Sequence, residues 1–192
     1  MRTEDIADDA GILSAARRMS GRRMVSLLAP MASLFVAWSA HAQSGTDPAC
    51  QTPEFRQHDY ILGTWDVRRG EDKVATARFE RAANGCAILH TWMPVKPGGN
   101  TGVAVLSYSK AENNWQYYWA GNTGSTLHFK GAAEKPGHVR YQRAAVRDGV
   151  ERLSRFGFEL MPNGQVRELN ETSTDGGATW TTTADLSLTK AP

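Results

Sequence analysis

The chain has 192 residues, 41% of them hydrophobic, with 22 Lys and Arg against 20 Asp and Glu and a formal charge of +2. With so even a balance, and no basic run after residue 23, nothing in the charge pattern supports binding to nucleic acid or to an anionic membrane. The two cysteines lack CxxC spacing, which leaves a metal site as the poorest use for them.

In chain order, Arg17, Arg18, Arg22 and Arg23 form a basic cluster, an apolar stretch runs from Met24 to about Trp38, and Ala40-His41-Ala42 follows. A basic region, a short apolar run and an A-x-A site make a secretory signal peptide over 1–42. Glu4, Asp5, Asp8 and Asp9 are unusual ahead of such a region, and translation starting at Met19 or Met24 removes the anomaly. The apolar run is shorter than the roughly 20 residues needed to span a bilayer, so no stable membrane insertion is expected after cleavage. The expected destination is the periplasm or the exterior. Residues 43–192 remain, a normal length for one domain. Cys50 and Cys86 both lie there, and an even count in an oxidising compartment argues for a disulfide; two buried free thiols and a metal site are the alternatives.

The arm 43–57 contains Gly45, Pro48 and Pro53. Thr52-Pro53 opens a short helix running to Ile61, with Thr52 as N-cap. Ten strand-like runs follow, at 64–69, 74–81, 86–93, 102–109, 115–120, 126–131, 139–146, 153–160, 166–172 and 179–188. Close-spaced turn signals such as Asn84-Gly85, Asp148-Gly149 and Asp175-Gly176-Gly177 separate them. Several runs alternate: Trp115, Tyr117 and Trp119 share one face, as do Phe156, Phe158 and Leu160. No segment carries a long helical period. The sequence therefore predicts an all-β domain over 58–192, a single antiparallel up-and-down barrel of about ten strands preceded by a short N-terminal helix. An open sandwich is the runner-up.

Two motifs punctuate the strands. Leu62-Gly63-Thr64-Trp65-Asp66-Val67 places a Gly-x-Trp at the head of the first strand and resembles the lipocalin and calycin signature. The resemblance implies Gly63 for a tight start and Trp65 as a plug at the closed end. Ser173-Thr174-Asp175-Gly176-Gly177-Ala178-Thr179-Trp180 matches the Asp-box of sialidases and other propeller proteins. A single box reads as a hairpin turn: Asp175 caps backbone N–H groups, Gly177 takes a positive φ and Trp180 packs beneath.

From about Cys50 to the C-terminus the chain resembles a family of exported bacterial calycin-like domains of unknown function. The matching stretches are residues 59–67, Asn84-Gly85-Cys86-Ala87-Ile88-Leu89-His90-Thr91-Trp92, residues 115–119, residues 155–158, and Gly164-Gln165-Val166-Arg167 running into the Asp-box. The resemblance implies a lipocalin-like barrel and a Cys50–Cys86 link, and no particular activity. The sequence departs from that family at His90, where an acidic residue is usual, and at Asn170, where an aromatic is usual.

Polar and aromatic residues within the strands mark a candidate lumen: His90, Trp92, Tyr117, Trp119, Arg155, Arg167 and Glu171. The expected ligand is a small, mostly apolar molecule, with Trp92, Tyr117 and Trp119 as walls and His90 and Arg155 as polar anchors. No cofactor or metal is expected; haem would need an axial histidine, and His90 is the one worth testing. No Gly-x-Ser-x-Gly, His-Glu-x-x-His, P-loop or dinucleotide fingerprint is present, so catalytic residues are not identified. The rivals are an enzyme, a hydrolase or isomerase using His90 as base with a strand Glu drawn from Glu159, Glu168 and Glu171, and a filled barrel acting as an interaction module. Nothing in the sequence signals an oligomeric state.

Overall fold

The computed structural model describes residues 50–192. The signal peptide expected over 1–42, and the arm as far as residue 49, lie outside the described residues. Ten strands follow one another: β1 Gly63–Arg69, β2 Asp72–Ala82, β3 Ala87–Pro94, β4 Gly102–Ser109, β5 Asn114–Gly121, β6 Thr126–Lys135, β7 His138–Arg147, β8 Val150–Leu160, β9 Val166–Ser173 and β10 Thr181–Lys190. Each pairs antiparallel with its neighbours in sequence, and β1 pairs with β10 through Trp65↔Lys190 to Arg68↔Ser187. The sheet is a closed up-and-down barrel, which leaves no edge strand to template aggregation.

Alternation sets what fills it. Trp65 and Val67, Ala75, Ala77 and Phe79, Ile88 and His90, Ala104 and Leu106 are buried on the inner face, as are Trp115 and Tyr117 and, on the far wall, Val139, Tyr141, Phe156, Phe158, Val166 and Leu188. Several strands run further than their apolar stretches. β2 begins at Asp72, β6 reaches Lys135 and β8 begins at Val150, because ladder hydrogen bonds continue where side chains are already polar.

One end is sealed by the segment before β1. In place of one helix there are two short 3₁₀ turns, Pro53–Arg56 and Asp59–Ile61. Thr52 makes no side-chain cap, and His58, at φ −104° and ψ 7°, breaks the helical path between them. The disulfide Cys50–Cys86 ties this segment to the turn before β3, and Arg81 of β2 pairs with Asp59. This covalent link fits an oxidising, extracytoplasmic compartment.

Trp65 closes that end, 1% exposed, its Nε1–H donating to the Ile61 carbonyl at 2.6 Å. Lys190 of β10 lies over the indole, Nζ 3.9 Å from the ring centroid, and donates to the Leu62 carbonyl. Gly63 makes this possible: it sits at φ +113°, and a Cβ there would stand 2.7 Å from Lys190 Nζ.

Candidate functional site

The interior is not filled throughout. A cavity of about 480 Å³ occupies the half away from Trp65 and the disulfide. Its lining includes Arg69 at the end of β1, Pro94 at the end of β3, Leu127 near the start of β6 and Thr183 and Ala184 near the start of β10, so it opens at that rim. The volume lies within the range of roughly 300–1,000 Å³ typical of small-molecule sites.

Of the five candidate ligand residues, four line the cavity: His90, Trp92, Tyr117 and Trp119. Gly102 leaves room for one of these walls, since a Cβ there would come within 2.3 Å of the Trp119 ring. His90, 3% exposed, stacks on Phe79 with centroids 4.1 Å apart and planes 13° apart. Its Nδ1 shares a hydrogen bond of 3.2 Å with the Tyr117 hydroxyl. Its Nε2 is buried with no partner. Burial pushes the imidazole pKa down to about 3, so the ring is neutral at ordinary pH. Burial, and next the nearby Glu168 carboxyl, raise the Tyr117 hydroxyl well above its usual range.

Arg155 stands elsewhere, which corrects its expected place as a lumen anchor. The Phe156/Phe158 face of β8 points inward, and Arg155, one residue off, points outward. Its Nε–H donates to Glu171 Oε2 at 2.7 Å and its guanidinium lies 3.8 Å from the Trp180 ring centroid. Arg167 and Glu171 are on the same outer face, with Arg167 forked onto Asp185 at 2.7 and 2.8 Å. These charges form a ladder on the outer wall, part-buried at Arg155 and Glu171 and exposed at Arg167 and Asp185.

The inner-facing acid is Glu168, named from sequence only as one of three strand glutamates. It lines the cavity with Asn170, whose Nδ2–H donates to Glu168 Oε1 at 2.9 Å. Burial raises the Glu168 pKa. Phe129 and Phe156, with centroids 5.0 Å apart, complete the aromatic wall beside Tyr117. Counting in twos from buried Val166 puts Glu168 and Asn170 inside. That signal is in the sequence, but Leu169 makes the opposite phase equally apolar. His90 and Asn170 both line the cavity.

The remaining motif residues serve the scaffold. Asp175 Oδ1 accepts from the Ser173 hydroxyl at 2.7 Å and the Thr179 N–H at 2.9 Å, and Oδ2 accepts from the Thr179 hydroxyl at 2.6 Å. These bonds hold its carboxyl far below the ordinary range. Gly177, at φ +92°, donates its N–H to Ser173 Oγ, and Trp180 Nε1–H donates to the Gly177 carbonyl at 3.0 Å.

His90, the base of the enzyme reading, has Tyr117 as its hydrogen-bond partner and no carboxylate, while Glu168 is bonded to Asn170. A ring held neutral down to about pH 3 is a weak proton acceptor near neutrality. Among the described residues no three His, Cys, Asp or Glu side chains converge as a metal site. No protein-family model matches the chain, and no curated protein matches it.

Proposed function

We propose that this is an exported, periplasmic or secreted barrel that binds a small, mostly apolar molecule in its lumen. The observation that carries the reading is an open cavity of about 480 Å³ walled by His90, Trp92, Tyr117, Trp119, Phe129 and Phe156. The aromatic walls provide the larger, non-directional part of the affinity. His90 and Glu168 then fix the ligand's orientation.

The test is the uptake of N-phenylnaphthylamine, a neutral apolar dye that fluoresces when removed from water. One dye per barrel is expected to bind. Ala184→Trp, which places an indole across the rim, is expected to abolish the signal without loss of the folded barrel. Absence of dye binding by the unaltered protein would refute the reading.

A further inference from the structure

We infer that the lumen is shaped for a protonated amine carried on a flat apolar body, with Glu168 as its counter-ion; the inference rests on the lumen-binding reading above and specifies the chemistry of the occupant.

Glu168 is the single acidic residue on the cavity wall. Three acids of the outer face are paired: Glu171 with Arg155, Asp185 with Arg167 and Glu159 with Lys135. Glu168 forms no ion pair among the described residues. Its Oε1 takes the Asn170 amide, and its Oε2 accepts no hydrogen bond from a described residue. Of the other charged groups, Arg69 lines the cavity towards its rim and the Arg143 guanidinium lies 5.3 Å from the Phe129 ring centroid, and neither forms an ion pair with Glu168. His90 is neutral.

A lone carboxyl in an aromatic cup is expensive to ionise, and an incoming cation removes that expense. Trp92, Trp119, Tyr117, Phe129 and Phe156 add ring faces that attract a cation and cover an apolar body. A neutral ligand leaves Glu168 unpaired, and an anionic ligand adds like charge. The chemistry therefore ranks ligands of equal shape in the order cation, neutral, anion.

Titration calorimetry with tryptamine, tryptophol and indolepropionate, one body bearing three charges, tests the inference on the unaltered protein and on Glu168→Gln. Tryptamine is expected to bind at least about tenfold more tightly than tryptophol, and indolepropionate most weakly. Glu168→Gln is expected to erase the preference, bringing the ratio of tryptamine to tryptophol affinity to about one. Should that variant fail to fold, lowering the pH through the raised Glu168 pKa serves instead: tryptamine affinity falls and tryptophol affinity does not. Equal affinities for tryptamine and tryptophol, or binding of neither while N-phenylnaphthylamine still enters, would overturn the amine inference and leave the lumen reading standing. Loss of dye binding as well would remove both.

Discussion

Two histidines are buried in this barrel, and their immediate surroundings are alike. His58 is 0% exposed and His90 3%. Each shares a hydrogen bond with a tyrosine hydroxyl, His58 Nε2 with Tyr141 at 2.6 Å and His90 Nδ1 with Tyr117 at 3.2 Å. Each has its other ring nitrogen unpartnered, and each is driven to a pKa of about 3 by desolvation. They differ in what surrounds the ring. His58, at the sealed end, is walled in by Trp115 at 4.6 Å, Tyr141 at 5.7 Å and Phe158 at 6.2 Å between centroids. His90 faces an open cavity. The same side chain with the same kind of partner packs among closed rings at one end of the barrel and forms part of a cavity wall at the other. Burial alone does not separate the two; the adjoining cavity does.

Acid is expected to expose the similarity most strongly. Each ring is held neutral in the folded state with a pKa near 3, below the 6.5 of an unperturbed histidine, so the unfolded chain takes up protons first. The stability at stake is fully present above about pH 6.5 and drains away as pH falls towards 3. At about 1.4 kcal/mol per unit the loss is on the order of several kcal/mol, read as a falling urea midpoint across that window. His58→Phe and His90→Phe are each expected to remove part of it. If His90→Phe removes much less, water in the lumen is already solvating that ring, and the two sites are less alike than their contacts indicate.

The sealed end is expected to depend on its covalent staple. Cys50→Ser combined with Cys86→Ser opens a link across 36 positions and should cost about 3–4 kcal/mol in denaturant unfolding. Dye affinity of the fraction that remains folded should stay within about twofold, because the staple and the cavity sit at opposite ends. A next, smaller effect separates the histidines directly. His58→Ala should cost about 2–4 kcal/mol through the void it leaves among packed rings, with dye binding unchanged. His90→Ala should cost less stability and change dye affinity several-fold. The reverse pattern would place the binding site at the wrong end. The smallest effect is expected on the outer wall, where Arg155→Ala should cost less than about 1 kcal/mol and leave dye affinity unaltered.

Much of the fold was legible because a half-buried strand writes its own period. Ten runs broken by turn residues correspond to ten strands. Gly63 and Trp65, with a positive φ and a buried indole, stand at the sealed end. The site was legible only in part. Trp92, Tyr117 and Trp119 share their phase with other large apolar residues, and they line the cavity with His90. Arg155 and Glu168 could not be placed in the same way. β8 is ambiguous because Gly157, on the Arg155 face, is as closely packed as Phe156 and Phe158 on the other. β9 is ambiguous because Leu169 faces out while Glu168 faces in.

By itself, then, the sequence determined the strand-like runs and the turns between them, since each of these is encoded by residues close together, while the Cys50–Cys86 bond and the burial of Trp65 are shown by the structure. Only the tertiary structure decided which face of each strand looks inward and that one end is filled while the other stays open. Both depend on closure of β1 onto β10, which fixes the phase of all ten strands at once and leaves no strand free to settle its own.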